Sequence, residues 1–469
     1  MAERPRIVVA GGGVAALEAL LALRELTGPR AALELIAPGT EMLLRPASVA
    51  EPFGLGGPPP VQLAEVAAYC GARLHSATLA GVRPAEHRAT TASGVEIPYD
   101  HLVVAVGARK ADAIPGAVPF GGPSDVPALT RLLEAAEAGD VRTIAFVAPS
   151  AGGWTLPVYE LALMAAADLR ARGADTGISV ITAEPAPLWL FGESAGEAIA
   201  ELLAARGIRL LHGRATAFAD GRVAMVEGQG HAAEAVVVIP PVQGPWIRDL
   251  AMDHQGFVKV DELGRVEDAE DVWAAGDATA FPIKQGGLAC QQADTVATAI
   301  AAQLGAAAEP SPFRPVLRGL LLTGGAPLYL RAELDRRGAV RRRGVTGLRG
   351  EVSTRALWWP PGKVAGRYLA PYLSTARPRA LGREPLVDRA ATASGAAAGG
   401  TGDAFELALL LADADAAAGD FRQAVHALDA AAALSGGVLP AEAARRRDAW
   451  RPRLPARPRP SHIEIEEEP

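Results

Sequence analysis

Two short segments, far apart in the chain, carry residues whose types and spacing suit the binding of phosphate and of a polyol. Near the start, three glycines follow an apolar run from Arg6 to Ala10 and precede a helical pattern from Val14 to Leu26. Gly11 permits a tight turn, and Gly13 lets the backbone approach a phosphate. The free N–H groups and the positive end of the helix would point at the same group. This segment is predicted to hold a pyrophosphate.

The second segment lies in the second half of the chain and reads DVWAAGDATAFPIKQGG. Its apolar start predicts a strand, and the turn that follows at Gly276 presents the carboxylate of Asp277. A carboxylate at this point can bind the hydroxyl groups of a sugar-alcohol chain. A pyrophosphate site and a polyol site together indicate FAD. The distance between the two segments implies a second domain inserted into the first.

The elements around these segments predict an α/β architecture. The segment YDHLVVAVGARK predicts a strand that ends at Gly107, and a second strand–turn–helix unit begins at Thr143. ISVITAE and EAVVVIPP supply further strands of this second unit. Later, VLRGLLLTGGAPLYLRAEL and ALWWPPGKVAGRYLAPYL predict strands and a terminal helix of a smaller third part. After an Ala/Gly/Thr-rich linker, FELALLLADADAAAGDFRQAVHALDAAAAL has the spacing of a helical hairpin similar to one tetratricopeptide unit.

Composition restricts the class of partner and the location. The chain has 469 residues, enough for two or three domains, and a net charge of −7 that argues against nucleic-acid binding. Glycines and Glu18 interrupt the N-terminal apolar stretch, so no secretory signal is predicted, and no apolar run is long enough to span a bilayer. These features predict a cytoplasmic location, with peripheral contact at the inner face of a membrane left open. The eight histidines lack the spacing of metal ligands, so no metal site is predicted.

The glycine turn, the AVG that ends at Gly107 and the AAGDA motif around Asp277 together match a known pattern. The chain resembles the FAD-dependent pyridine nucleotide-disulfide oxidoreductase superfamily over about residues 5–373. Within it, the likeness is greatest to sulfide:quinone oxidoreductases, flavocytochrome c sulfide dehydrogenases and type II NADH:quinone oxidoreductases. The resemblance implies two Rossmann-like domains of the glutathione-reductase type. The predicted parts are an FAD-binding domain at 1–118 and 240–312, an NAD(P)-binding-like domain at 119–239, a C-terminal interface part at 313–378, a linker at 379–402, the hairpin at 403–452 and a tail at 453–469.

The resemblance also implies roles for individual residues. Asp277 would bond the ribityl chain of FAD, and the helix that starts near Gln285 would point its positive end at the N1–O2 edge of the flavin. Lys284, beside that helix start, would add a full positive charge; the alternative is a solvated loop residue. The residues expected to bind FAD are Gly11, Gly12, Gly13, Val14, Ala15, Ala16, Arg45, Gly107, Gly276, Asp277 and Gln285.

Glu160 is the principal candidate for proton transfer. It lies in PVYELAL, where type II NADH dehydrogenases carry a glutamate close to the flavin and the quinone. Burial that raised its pKa would let Glu160 pass protons to a reduced acceptor. The alternative is a first-turn glutamate that stabilises the helix dipole. Glu160 and Lys284 are the two predicted catalytic residues.

The cysteines argue against one reaction. Disulfide reductases need two closely spaced cysteines after the first ribose-binding strand, where this chain reads EMLLRPASVAEPF. Cys70 and Cys290 are the only cysteines, so disulfide reduction is not expected. The ordinary two-cysteine route of sulfide oxidation is excluded as well, unless the fold brings Cys70 close. Cys290 lies in an Ala-rich helical pattern and is expected to be a buried, inert thiol.

The second glycine turn and the adenosine end of the first domain depart from the expected pattern. Residues 149–154 read PSAGGW, with two adjacent glycines and a large Trp154 in place of G-x-G-x-x-G. Glu184, after the ISVITAE strand, could still bind a ribose, so NAD(P)H stays open as an electron donor. In the first domain no acid ends the strand from Leu33 to Ile36, and Glu41 is the nearest substitute.

A partial match to the quinone-pocket pattern of the quinone-reducing relatives indicates the electron acceptor. GGLACQQAD keeps Gln291 of the quinone-pocket pattern but has Gly287 in place of its first glutamine. Trp358 and Trp359 suit a membrane interface, a dimer contact or a corner of the core. We therefore predict an FAD-dependent oxidoreductase that passes electrons from a reduced donor to a quinone or another small acceptor. The alternatives are an NAD(P)H-dependent ferredoxin- or rubredoxin-type reductase and a non-catalytic flavin-binding scaffold that binds a protein partner through the hairpin.

Overall fold

The structure, a computed structural model, describes residues 4–148, 153–226, 230–340, 350–375, 428 and 441–450. Its strands, in chain order, are β1 (Arg6–Ala10), β2 (Ala32–Ala37), β3 (Glu41–Met42), β4 (Val61–Gln62), β5 (Ala72–Ser76), β6 (Leu79–Arg83), β7 (Arg88–Thr91), β8 (Glu96–Pro98), β9 (His101–Val104), β10 (Arg109–Lys110), β11 (Val118–Pro119), β12 (Thr143–Ala148), β13 (Gly177–Thr182), β14 (Arg209–His212), β15 (Ala215–Ala219), β16 (Arg222–Met225), β17 (His231–Ala232), β18 (Ala235–Val238), β19 (Val242–Gln243), β20 (Val272–Ala274), β21 (Val316–Leu321), β22 (Leu328–Glu333) and β23 (Glu351–Ser353). The α-helices are α1 (Val14–Thr27), α2 (Leu63–Tyr69), α3 (Val126–Glu137), α4 (Leu156–Ala171), α5 (Glu193–Ala205), α6 (Gly286–Gln303), α7 (Leu369–Thr375) and α8 (Ala441–Trp450).

A five-stranded parallel sheet contains the start of the chain. Its order is β20-β9-β1-β2-β5. β1 reads RIVVA with four of its five residues buried, which is the pattern of a strand covered on both faces. Helices α1 and α6 pack together on one face, and the small antiparallel sheet β6-β7-β8 contributes to the core on the other. Because β20 pairs with β9, the chain returns to this sheet after forming a second one.

The second sheet repeats the parallel arrangement in the order β11-β18-β12-β13-β14. β12 reads TIAFVA and β18 reads AVVV, so both strands are apolar throughout and suited to the middle of a covered sheet. Helix α4 contacts β12, β13 and β21 and is buried along most of its length. The third sheet, β21-β22-β23, is antiparallel, and its first strand contacts α4 and α6.

The predicted fold class, α/β with two Rossmann-like sheets, is confirmed. Helix α1 ends at Thr27, one residue later than predicted. The strand predicted to end at Gly107 ends at Val104. The predicted domain boundaries remain predictions. The linker and the tail lie outside the described residues, and so does the hairpin apart from Leu428 and α8. In the described part of the chain, no helix combines the length and apolar character needed to cross a bilayer.

Candidate functional site

A cavity of about 1320 Å³ opens where the strands of the two parallel sheets end. Its walls come from the segments that follow β1, β9, β12, β18 and β20, from β21 and from Lys363. Ligands of open α/β sheets bind at this carboxyl edge of the strands. The volume exceeds the roughly 300–1,000 Å³ of common small-ligand sites, so the cavity can take a large ligand.

The glycine turn after β1 lies in the wall of this cavity. Gly11 has a φ of +138°, and a Cβ at this position would lie 2.1 Å from the backbone O of Ala105. Gly13 is the N-cap of α1 with a φ of −102°, and no atom lies within 4 Å of its Cβ position. Gly11 is therefore required by a close backbone approach, whereas Gly13 leaves open space before the helix. Ala16 is fully buried and serves the packing of α1.

The remaining residues of the first glycine segment and its surroundings also face the cavity. Its lining includes Gly12, Val14, Ala15, Arg45 and Gly107. Gly107 has a φ of +78°, so the backbone there adopts a conformation that favours glycine. Glu41, the substitute considered for a ribose contact, lines the cavity too, and its Oε1 accepts a hydrogen bond of 2.7 Å from Nε2 of Gln62.

The turn after β20 presents Asp277 to the cavity. Gly276 is buried with a φ of +75°, and its N–H donates to Oε1 of Gln292 at 2.7 Å, which fixes the turn. Asp277 lines the cavity beside positive charge. Its removal from bulk water raises the pKa of Asp277, and the charges of Lys284 and Arg45 oppose this shift. One carboxyl group and two cationic side chains therefore lie around this part of the cavity.

Lys284 is half-buried in the cavity wall, so the alternative of a solvated loop residue is wrong. Its Nζ donates to the backbone O of Thr279 at 2.5 Å and lies 3.6 Å from the ring centre of Phe257. Burial lowers the pKa of Lys284 to about 8, although Asp277 and Asp253 oppose the shift. This amine can change its charge just above neutral pH.

Two glutamines of the α6 region make structural hydrogen bonds. Gln285 lines the cavity and is the N-cap of α6, where its Oε1 accepts the N–H of Leu288 at 2.8 Å and its Nε2 donates to the O of Arg318 at 3.0 Å. Gln291 is bonded through both amide atoms to the backbone of Val316, at 2.9 Å each. Gln291 is not among the described residues that line the cavity, which does not favour the quinone-pocket role considered for it. Its amide joins α6 to β21.

Glu160 is paired with a lysine that sequence reasoning did not connect to it. It is the fifth residue of α4 and is 1% exposed, so the first-turn alternative is wrong. Its Oε1 accepts the N–H of Leu322 at 2.9 Å and a bond from Nζ of Lys363, which also donates to the O of Leu320 at 2.9 Å. Burial raises the pKa of Glu160, which Lys363 opposes; burial lowers the pKa of Lys363, which Glu160 opposes. Both residues line the cavity.

Both cysteines of the chain are free and buried away from the cavity. Cys70 is 1% exposed and Cys290 is 0% exposed. Burial raises the pKa of the Cys70 thiol to about 12 and raises the pKa of Cys290 well above its ordinary value. The expected burial of Cys290 is confirmed, and its inertness stays a prediction. No thiol lies among the described residues that line the cavity.

Trp358 belongs to the core. It is 6% exposed, and its ring packs edge-on against Tyr329 with 5.3 Å between ring centres. The membrane-interface reading of Trp358 is therefore wrong, and the core-corner reading is confirmed. Over the described ranges, no cluster of His, Cys, Asp and Glu has an arrangement that could hold a metal ion.

These features define an α/β protein with two Rossmann-like sheets of the FAD- and NAD(P)-binding type and a large cavity at their carboxyl edges. Residues 5–303, more than half of the chain, match the family model described as pyridine nucleotide-disulphide oxidoreductase. The chain belongs to this family and is an FAD-dependent oxidoreductase.

Solved structures share the fold. The sulfide:quinone oxidoreductase from the hyperthermophilic bacterium Aquifex aeolicus is 20% identical, with a TM-score of 0.65 over 74% of this chain and 86% of that chain. A ferredoxin reductase from Rhodopseudomonas palustris is 20% identical, with a TM-score of 0.55 over 70% of this chain and 83% of that chain. An NAD-dependent persulfide reductase from A. fulgidus is 17% identical, with a TM-score of 0.53 over 70% of this chain and 64% of that chain. A comparison with curated proteins gives no significant match.

Proposed function

We propose that FAD binds in the cavity, with its pyrophosphate at the Gly11–Gly13 turn and its ribityl hydroxyls at Asp277. The open space beside Gly13, in front of the N-terminus of α1, fits a phosphate. The carboxyl group of Asp277 lies in the same cavity and fits a polyol. Bound FAD supplies the centre that takes up and releases electrons. The other proposed binding residues are Gly12, Val14, Ala15, Arg45, Gly107 and Gln285 in the wall, with Ala16 and Gly276 acting through packing.

The electrons pass from a small reduced donor to a quinone or another small acceptor, and the buried pair of Glu160 and Lys363 carries this proposal. A quinone that accepts two electrons must also accept two protons, so its site needs a proton source. Burial disfavours the charged form of both side chains, which favours a proton held on Glu160. Glu160 thus acts as the general acid of acceptor reduction.

Lys363 is the member of the pair that reaches the open part of the cavity. The exposed fraction is 10% for its side chain and 1% for that of Glu160. After Glu160 has given up its proton, Lys363 takes up a proton from water in the cavity and passes it to Glu160. A cavity wall without a thiol supports a route that uses no dithiol. The likeness to a sulfide:quinone oxidoreductase supports a quinone as the acceptor.

The test compares two acceptors of dithionite-reduced holoenzyme by stopped-flow absorbance. Duroquinone takes up protons with its electrons, whereas ferricyanide takes up electrons alone. We expect Glu160→Gln to slow flavin reoxidation by duroquinone about 100-fold or more, the usual contribution of a general acid, and to leave reoxidation by ferricyanide unchanged. FAD content should stay normal.

Glu34→Gln is the matched control, because Glu34 is also a buried glutamate (9% exposed) but lies on β2 and does not line the cavity. It should leave both reoxidation rates unchanged. Equal slowing of both acceptors by Glu160→Gln would show a structural role for Glu160. Unchanged duroquinone turnover would remove Glu160 from the mechanism.

A further inference from the structure

The connection between β12 and α4 in the second sheet differs from the connection between β1 and α1 in the first sheet. In a dinucleotide-binding fold, a tight glycine turn makes this connection and the helix that follows faces the pyrophosphate. Here residues 149–155 join β12 to α4, whereas residues 11–13 join β1 to α1. Counted from the end of the strand, the positions of Gly11, Gly13 and Ala16 are taken by Pro149, Ala151 and Trp154.

The start of α4 is also poorly suited to an anion. Pro157, the second residue of the helix, has no N–H to donate. Trp154 packs its ring edge-on against Phe191, with 5.9 Å between ring centres, immediately before the helix. Thr155, the N-cap, is 5% exposed, and its side chain bonds Glu184. Fewer backbone donors are therefore available to a pyrophosphate than at the start of α1.

The acid that would hold the ribose of a nicotinamide nucleotide is already bonded inside the protein. Glu184 follows β13 and is 4% exposed. Its Oε2 accepts a bond of 2.8 Å from Oη of Tyr159 and one of 3.3 Å from Oγ1 of Thr182. Burial raises the pKa of Tyr159, so the phenol stays protonated and remains a donor. Glu184 is therefore already satisfied by donors inside the protein, and its low exposure leaves little of the carboxylate accessible to a ribose.

The cavity does not extend to this carboxylate. Among the described residues that line it, none lies between positions 161 and 238, a range that includes β13, α5 and β14. We infer that the second sheet of this enzyme does not bind NAD(P)H, that Glu184 with Tyr159 and Thr182 instead ties α4 to β13, and that the electrons come from a donor other than a nicotinamide nucleotide. The same tie holds α4, and with it Glu160, against the sheet.

The first test is an anaerobic titration of the holoenzyme with NADH and then NADPH, each up to about 1 mM, the upper end of common KM values. We expect the flavin absorbance to remain unchanged with both nucleotides and to bleach when dithionite is added. Bleaching by either nucleotide, faster than that of free FAD in the same buffer, overturns the inference.

Isothermal titration calorimetry with NAD⁺ gives a second readout that needs no flavin. The absence of saturable heat up to about 1 mM supports the inference, since a site of millimolar affinity would begin to fill there. Saturable heat overturns it, and a further loss of affinity in Glu184→Gln would locate the ribose at that residue. The inference uses the proposed FAD site only for the optical readout. Isolation of the protein without flavin would count against that site and leave the calorimetric test intact.

Discussion

At the scale of single residues, the first glycine of the turn after β1 has a structural task. Gly11→Ala would place a Cβ 2.1 Å from the backbone O of Ala105, at a φ of +138°. We expect Gly11→Ala to lower the free energy of unfolding of the flavin-free protein by about 2–6 kcal/mol, the sum of backbone strain and overpacking. Urea denaturation of the flavin-free protein measures this change.

Gly13→Ala is the control for that substitution, because no atom lies within 4 Å of its Cβ position and its φ is −102°. The flavin-free protein should keep its stability within about 0.5 kcal/mol. FAD affinity should fall, since the methyl group occupies the space proposed for the pyrophosphate. If the two variants lost the same stability, the loss in Gly11→Ala could not be attributed to the contact with Ala105.

The thiols of Cys70 and Cys290 should be unreactive in the folded protein. Burial raises both pKa values, so the thiolate that attacks disulfide reagents is scarce. We expect no release of thionitrobenzoate from Ellman's reagent at about pH 8 in native buffer and release from both thiols in denaturant. Rapid reaction of one thiol in the native protein would show that it reaches solvent and would reopen a thiol-based mechanism.

At the scale of elements, a buried carboxyl group joins α1 to α7. Glu18 is 0% exposed and accepts the N–H groups of Tyr368 at 2.8 Å and Leu369 at 2.6 Å. Burial raises the pKa of Glu18, although these bonds oppose the shift. Glu18→Gln should lower the free energy of unfolding by about 1–3 kcal/mol, because one of the two oxygens that accept these backbone N–H groups becomes an NH2 group, which cannot accept. Urea denaturation at neutral pH checks this loss.

The same carboxyl group predicts a pH dependence. Above the ordinary pKa of a glutamate, the unfolded chain loses a proton that folded Glu18 retains, so the stability it contributes falls as pH rises through its folded pKa. Glu18→Gln should remove this slope in denaturation curves between about pH 5 and about pH 8. Glu25→Gln, on the same helix but half-buried, should keep it. An unchanged slope in Glu18→Gln would assign the titration to another group.

Local sequence patterns were enough to predict β1, α1 and the turns at Gly11 and Gly276, because each depends on neighbours a few residues away. The pairing of Glu160 with Lys363 joins positions 203 residues apart. The position of Glu184 after β13 is local information, and that position predicted a ribose ligand. The hydrogen bond that Tyr159 donates to Glu184 depends on how α4 packs, which the local sequence does not show. A lysine within the otherwise apolar run WWPPGKVAG was the local signal for the burial of Lys363.

At the scale of the whole molecule, the two parallel sheets and the antiparallel sheet β21-β22-β23 each contribute to the wall of one cavity. The first sheet supplies the glycine turn and Asp277, the second supplies α4 with Glu160, and the third supplies β21 beside Lys363. The bond from Lys363 to Glu160 therefore completes the site only when the segment after β23 is folded against α4. The proposed binding of FAD and the proposed proton transfer therefore depend on the same packing.

This arrangement predicts that FAD stabilises the protein more than FMN does. In the proposed binding mode FAD extends from Asp277 to the turn at Gly13, whereas FMN lacks the second phosphate and the adenosine. Adding FAD to the flavin-free protein at about 100 times its Kd should raise the free energy of unfolding by about 2.7 kcal/mol, and FMN at the same concentration should raise it less. In Gly13→Ala the advantage of FAD over FMN should shrink. Thermal shift assays measure all four combinations, and equal stabilisation of the unsubstituted protein by the two flavins would mean that the glycine turn does not bind the cofactor.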